Sequence, residues 1–253
     1  MLIDTHAHIL SEYYDNIKQV FEDSKNLGVD IIINSGCDNA SNNEVIKLSE
    51  EYSNIYITLG IHPEFADNYY DSDLDFIEKQ INNEKLVAIG EIGLDYHYEG
   101  YNKEKQIMLF EKQLELAKKY NLPVVIHSRD ATLDTLNIIK KYSVTGVIHC
   151  FSGSKETAME YVKLGYKLGI GGVCTYKNAK IIDVVKEIGL ENIVLETDSP
   201  YLSPVPFRGK QNIPGNVNYV VDFISESLEI SKENVALITT YNAFSVFDKI
   251  KPL

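Results

Sequence analysis

Short apolar runs alternate with amphipathic stretches along the whole chain. Runs rich in β-branched residues at Leu2–Thr5, Asp30–Asn34, Ile55–Gly60, Leu86–Gly90, Pro123–Ile126, Gly146–Ile148, Tyr166–Ile170 and Ile193–Leu195 predict eight strands. They lack strict apolar–polar alternation, as expected of strands buried on both faces of a parallel sheet. Between them the spacing turns helical. In Lys103–Tyr120, for example, Ile107, Phe110, Leu114 and Ala117 recur every three or four residues. Asn121 and Pro123 end that helix and start the next strand. After the eighth strand come a Pro-rich loop and two helices, the last capped by Ser231 and predicted to run to about Lys249.

Strands alternating with helices predict an α/β fold, a (β/α)8 TIM barrel with an additional C-terminal helix. A doubly wound open sheet is the competitor, weakened because no Gly-rich dinucleotide fingerprint follows any strand. The 253 residues match the roughly 250 of one such barrel, so residues 1–253 are expected to form a single domain. No apolar run reaches the roughly 18 residues of a membrane span. The opening MLIDTHAHIL lacks the basic and apolar regions of a signal peptide. Cys37, Cys150 and Cys174 are odd in number and far apart, which argues against a disulfide framework and favours the cytoplasm. All three read as structural. Cys150 is expected on its strand with its side chain towards the helices, and Cys174 in a Gly-rich loop near the active face. No heptad pattern or long apolar stripe points to an obligate protein partner.

The net charge of −13 opposes nucleic-acid binding, which normally needs clustered Lys and Arg. Any chemistry on nucleic acid must find its positive charge locally. The histidines suggest where. His6, His62, His127 and His149 fall at or just past the C-terminal ends of predicted strands, and His8 and His97 lie in the loops that follow two of them. Barrel active sites form at that end. Glu91 closes the fourth predicted strand and Asp198 follows the eighth. His6 and His8, two apart on an extended chain, point the same way. Singly, a His-x-His can be chance, Glu91 an ion-pair partner inside the barrel and Asp198 a helix cap; their joint placement favours a metal site. His6, His8, Glu91, His127, His149 and Asp198 exceed what one tetrahedral zinc with an open position needs. They suit two divalent cations about 3.5–4 Å apart, with Glu91 as candidate bridge. Mg, Mn and Zn all stay open as the metal.

Of 24 basic residues only Arg129 and Arg208 are arginines, and both lie in loops just after predicted strands. Guanidinium grips phosphate in a bidentate fork that Lys cannot reproduce, so these two with Lys210 form a candidate phosphate clamp. The competing reading for Arg129 is an ion pair with Asp130 or Glu91. His62 is a candidate for contacting substrate or supporting the metal ligands, or for capping the loop before Pro63.

The segments IDTHAH (3–8), GIHPE (60–64), GEIGLDY (90–96), NLPVVIHSRDA (121–131), HCFSGS (149–154), ETDSPYL (196–202), RGK (208–210) and VALITTYNAFSVF (235–247) together resemble the TatD family of amidohydrolase-like metal hydrolases. The resemblance runs in order over essentially the whole chain. It implies that His6, His8, Glu91 and Asp198 hold one metal, and Glu91, His127 and His149 a second. It further implies metal-dependent deoxyribonuclease activity, often 3′→5′ on single strands, while other relatives are assigned deacylase activity on D-aminoacyl-tRNA. The chain departs from many relatives at His97, Tyr98 and Glu99, where a basic residue is usual, and at PGNV (214–217). Both departures fall in loops that bear on substrate choice more than on chemistry.

The expected reaction is therefore phosphodiester hydrolysis by a metal-activated water, with single-stranded DNA as partner and Asp198 and Glu91 as catalytic carboxylates. Asp198 would both bind metal and take the proton. Tyr96, Tyr98, Tyr101, Phe151 and Tyr201 lie in loops on this face and could stack bases, although packing is the commoner role in a chain with 17 tyrosines. Amide or ester hydrolysis, including aminoacyl-tRNA deacylation, is the alternative. A non-catalytic metal-binding scaffold is a further one, which no missing ligand supports.

Overall fold

A computed structural model describes residues Met1–Lys251. Eight parallel strands occur in the order of the sequence: β1 Ile3–Ala7, β2 Ile31–Ser35, β3 Ile55–Leu59, β4 Leu86–Asp95, β5 Val124–Arg129, β6 Gly146–Ile148, β7 Lys167–Ile170 and β8 Ile193–Leu195. The helices are α1 Ile17–Asn26, α2 Asn39–Glu51, α3 Asp71–Lys79, α4 Lys103–Tyr120, α5 Thr132–Ile139, α6 Lys155–Lys163, α7 Ile181–Ile188, α8 Val217–Leu228 and α9 Lys232–Val246. The sheet curls back on itself as β8 returns to β1. Thr5 Oγ1 donates to the Leu195 carbonyl (3.0 Å), Asp198 N to His6 O (2.9 Å) and His8 N to Ser199 O (2.6 Å). The architecture is the (β/α)8 barrel expected from the strand pattern.

Two apolar clusters hold it together. The larger lies between strands and helices, with Ile32, Ile57, Leu86, Val124 and Leu168 packed against Val45, Phe110, Leu114, Val184 and Val220. The smaller contains Ile3, Ile31, Ile33, Val87, Val125, Val147 and Val194, joined by Ala243, Phe247 and Ile250. These strand residues alternate with those of the first cluster and so face the barrel interior. The C-terminal segment plugs the barrel at the ends where the strands begin: Thr240 Oγ1 donates to Met1 O, and Asn242 Nδ2 to the Leu190 and Ile193 carbonyls at 2.7 Å. The same alternation carries upward to the other end. Ser35 follows Ile33 on β2, His127 follows Val125 on β5, and His149 follows Val147 beyond β6.

The structure departs from the sequence reading in several places, among them β5, which runs on to Arg129 and so holds that residue at the strand's end rather than in the loop after it. β4 does not stop near Gly90 but runs ten residues, because it keeps pairing with β5 through Ile92↔Ile126 and Asp95↔Arg129 after a register shift. Glu91 therefore lies within the strand rather than at its end. The last helix, capped by Ser231 as expected, ends at Val246, short of Lys249. Cys150 is not on a strand: β6 ends at Ile148, and Cys150 adopts φ +48° in the turn beyond, so strand alternation does not govern its direction. Among the described residues no helix is long and apolar enough to cross a membrane.

Candidate metal centre

Glu91 stands between two histidine pairs. Its Oε2 lies 3.3 Å from both His6 Nε2 and His8 Nε2, and its Oε1 lies 2.8 Å from His127 Nδ1 and 3.1 Å from His149 Nε2. Asp198 Oδ1 faces the first pair at 3.7 and 3.6 Å. Within each pair the ring nitrogens face one another, His6 Nε2 to His8 Nε2 at 3.0 Å and His127 Nδ1 to His149 Nε2 at 3.3 Å. At most one nitrogen of such a pair can donate to the other, so lone pairs converge on shared points. Three donor groups drawn from the six expected ligands can each gather around one ion: His6–His8–Glu91, Glu91–His127–His149 and His6–His149–Asp198. Imidazole nitrogen with carboxylate oxygen is a donor set that divalent cations accept.

Local backbone geometry explains the placement. The Gly90–Glu91 peptide passes so close to Gly60 that a Cβ there would lie 2.6 Å from the Gly90 carbonyl carbon, which is why GIHPE opens with glycine. Asp198 adopts φ +55° and leads into a turn that Asp4 anchors. The buried Asp4 carboxyl accepts from Thr197 N (2.9 Å), Thr197 Oγ1 (2.5 Å) and His6 N (3.2 Å), tying β1 to the residues before Asp198.

A second layer of groups, not singled out in the sequence, faces the other nitrogens of these imidazoles. His8 Nδ1 meets the Ser35 carbonyl at 3.0 Å, His6 Nδ1 meets Ser35 Oγ at 3.2 Å, and Thr58 Oγ1 in turn donates to that hydroxyl. His127 Nε2 meets Asp95 Oδ2 at 3.2 Å, and His149 Nδ1 faces Glu196 Oε1 at 3.5 Å. Partners of this kind set which nitrogen is free to bind a cation. Glu196 belongs to ETDSPYL and Asp95 to GEIGLDY, so a signal was present, but only the barrel shows what they touch.

The electrostatics agree. Burial works to raise the Glu91 pKa, yet the charges of His149 and His6 and hydrogen bonds from His127 and His149 hold it well below the usual carboxylate range. Burial likewise opposes protonation of His149, but Glu91 and Glu196 raise it well above an ordinary histidine. His8 is raised in the same sense against burial, by Cys37, Asp198 and Glu91. Burial and the His149 charge lower His6. Asp198, despite burial, is lowered by His8, His149 and His6. In the metal-free chain, protons on imidazoles thus balance carboxylates that a cation would otherwise neutralise.

The cysteines depart from the purely structural reading in one respect. Cys37 Sγ lies 3.7 Å from both His8 Nδ1 and Glu91 Oε2, at the edge of the ligand cluster, with burial pushing its thiol up to about 11. Cys174 is buried in a turn and pushed up to about 12 by burial, so it stays a thiol.

Around the rim, Arg129 lies on Tyr98 (guanidinium to ring centre 5.2 Å, Nη1 to hydroxyl 3.3 Å) rather than against Asp130 or Glu91. Asp130 instead pairs with His97 Nδ1 at 2.9 Å. Arg208 covers Tyr176 at 4.4 Å, and Lys210 lies near Phe207. All three cations are exposed. His62 caps the turn at Pro63, its Nδ1 accepting from Glu64 N, while its Nε2 lies 3.8 Å from Glu91 Oε1. Tyr96 stacks on Tyr101, and Phe151 is buried against Tyr161; Tyr98, Tyr101 and Tyr201 are exposed, Tyr98 with Arg129 over its ring.

Known proteins resemble this chain over its whole length. Residues 3–248 match the family of TatD related DNases. The metal-dependent hydrolase YabD of Bacillus subtilis is 44% identical over 252 residues, covering 98% of this chain and 99% of that one. Human deoxyribonuclease TATDN3 is 33% identical over 267 residues, covering 100% and 96%. The crystal structure of the TatD homologue YjjV from Escherichia coli K12 superposes with a TM-score of 0.93 at 32% identity, covering 98% of both chains. With a barrel of the same kind and a centre rich in histidine and carboxylate, the chain belongs to the TatD family of metal-dependent hydrolases.

Proposed function

We propose that the protein hydrolyses phosphodiester bonds as a 3′→5′ exodeoxyribonuclease on single-stranded DNA, with residues 1–253 acting as one catalytic domain. The observation that carries this reading is a buried carboxylate, Glu91, whose two oxygens each face a different histidine pair beneath a rim bearing two exposed arginines. His6, His8, Glu91 and Asp198 would hold one divalent cation, and Glu91, His127 and His149 a second. Bound cations of this kind supply Lewis acidity and lower the pKa of water in their shell. Asp198 is the more open of the two carboxylates, 14% exposed at its side chain against 4% for Glu91. An aspartate is ionised at neutral pH, so it is ready to accept a proton from the attacking water. Arg129, Arg208 and Lys210 grip substrate phosphates, and the tyrosines beneath the arginines hold the guanidinium planes in place. His62 steadies the second histidine pair through Glu91 and its T-shaped contact with His127. Tyr201 offers an exposed ring for an unstacked base. The deoxyribonuclease name of TATDN3 and of the matched family supports the choice of DNA.

The test is release of mononucleotides from end-labelled single-stranded DNA by protein reconstituted in turn with Mg²⁺, Mn²⁺ or Zn²⁺, beside an identically prepared Asp198→Ala control. Metal-dependent release that vanishes in the control is the expected result. Intact DNA with a folded, metal-loaded protein would redirect the assignment to carboxylic esters, aminoacyl-tRNA among them. Cleavage that persists in the control would place the proton acceptor elsewhere.

A further inference from the structure

Among the described residues, four buried side-chain polar atoms have no hydrogen-bond partner: two are tyrosine hydroxyls, and the other two are His149 Nδ1 and Glu196 Oε2. These two belong to side chains that face each other, with His149 Nδ1 3.5 Å from Glu196 Oε1. Buried groups of this kind are rarely left unpaired, and an orphan donor beside an orphan acceptor asks for a reason. Glu196, two residues before Asp198, is fully buried, and its surroundings hold it in one place. Its backbone N donates to Ile170 O, and its Oε1 accepts a short hydrogen bond from Cys150 N. Its Oε2 occupies the space over Gly169, where a Cβ would come within 2.1 Å of that oxygen.

We infer that Glu196 is a positioning carboxylate for the cation held by Glu91, His127 and His149, acting through His149; this rests on the two-metal arrangement proposed above. The argument follows from the ring. Only His149 Nε2 faces Glu91 Oε1 and His127 Nδ1, so a neutral His149 must present that lone pair and carry its proton on Nδ1. A buried Nδ1–H needs an acceptor, and Glu196 is the group that faces it. His127 obtains the same service from Asp95 on its outer side. An anionic acceptor also makes the imidazole a stronger donor to the cation, and loss of such a partner costs roughly 10–100-fold in metal affinity. Gly169 has its own part: without a side chain it admits the carboxylate at the right height.

The experiment is a calorimetric titration of the metal-stripped full chain with Mn²⁺, with electron paramagnetic resonance to read Mn–Mn coupling, on wild type, Glu196→Gln, His149→Ala and the double variant. Glu196→Gln is expected to weaken one of two sites about 10–100-fold, to reduce the coupled signal at sub-saturating metal and to leave the other site unchanged. In the His149→Ala background it is expected to change nothing further. Should Glu196→Gln not fold, Gly169→Ala, which keeps the carboxylate but drives it from its seat, carries the same forecast. A purely structural Glu196 would lower the melting temperature and leave Mn²⁺ affinity at the wild-type value; that result overturns the inference. Loss of a site in His149→Ala with wild-type binding in Glu196→Gln overturns the role of Glu196 alone. Unchanged binding in His149→Ala overturns the ligand assignment and the role of Glu196 with it.

Discussion

Glu91→Gln is the substitution that separates a shared ligand from an ordinary one. Each Glu91 oxygen faces a different histidine pair at 2.8–3.3 Å, so losing the charge weakens both sites at once, whereas His149→Ala touches one. A cation present at 100 times its dissociation constant stabilises the folded chain by about 2.7 kcal/mol per site. For a chain of this length 1 kcal/mol moves the melting temperature by about 2–4 °C, so one site is worth roughly 5–10 °C and two roughly 10–20 °C. The metal-free variant is itself expected to melt earlier, because protonated His8 and His149 lose a buried counter-charge, a change that costs about 3–5 kcal/mol. The readout is therefore the metal-induced shift within each protein, measured by thermal melts of stripped protein with and without Mn²⁺. Wild type should show the full shift, His149→Ala about half of it and Glu91→Gln almost none. A Glu91→Gln protein that keeps half the wild-type shift would show that Glu91 serves one site only, and the shared-carboxylate reasoning would fail.

The stability of the metal-free protein should also depend on pH in a defined sense. His8 and His149 have folded pKa values above the unfolded one, so their stabilisation is complete below about 6.5 and is lost as pH rises through the folded values. Glu91 is depressed, so its contribution is present above about 4.3 and is lost as pH falls through its folded value. Stripped protein should thus melt highest between about pH 4.5 and 6.5 and lower towards pH 9, while Mn²⁺ affinity rises over the same interval as protons leave the ligands. A stripped-protein melting temperature that climbs from pH 6 to 9 would contradict this balance. Arg208→Ala should reduce kcat/KM on single-stranded DNA by about 10–100-fold, the worth of a charged hydrogen bond, and leave turnover of an uncharged ester unchanged. Equal losses on both substrates would rule out a phosphate-specific role. Asp4→Ala strands three buried donors at about 1 kcal/mol or more each, so it should lower the melting temperature by several degrees and kcat through misplacement of Asp198; an unchanged kcat would mean the turn holds without its anchor.

The barrel is legible in the chain because parallel strands buried on both faces leave unbroken apolar runs, and the intervening amphipathic spacing is long enough to define helices. Lys103–Tyr120 appears in the structure with the bounds its periodicity predicts, since Asn102 and Asn121 cap it from both sides. β4 was harder to bound. Its second half, EIGLD, contains two acids and a glycine, which reads as a loop until the register shift between Ile89 and Ile92 lets it go on pairing with β5. Ladder continuity beyond a shift is a property of the partner strand, and no local propensity carries it.

The same distinction divides the site. The side chains that converge at the centre could be read as a group, because barrel topology sends every strand end to one place and histidines at strand ends are conspicuous. Their supports could not, for reasons particular to each. One support of His8 is the Ser35 carbonyl, and a backbone oxygen has no residue type to mark it. Asp95 reaches His127 only because β4 is longer than its apolar run, and Glu196 faces His149 only because Gly169 on the neighbouring strand leaves it room. Strand alternation does not reach Cys150, because β6 ends at Ile148 and Cys150 sits beyond it with φ +48°. Ligands to a cation are chosen for their chemistry and so declare themselves by type; the groups that aim them are chosen for where the backbone happens to pass, which only the packed barrel determines.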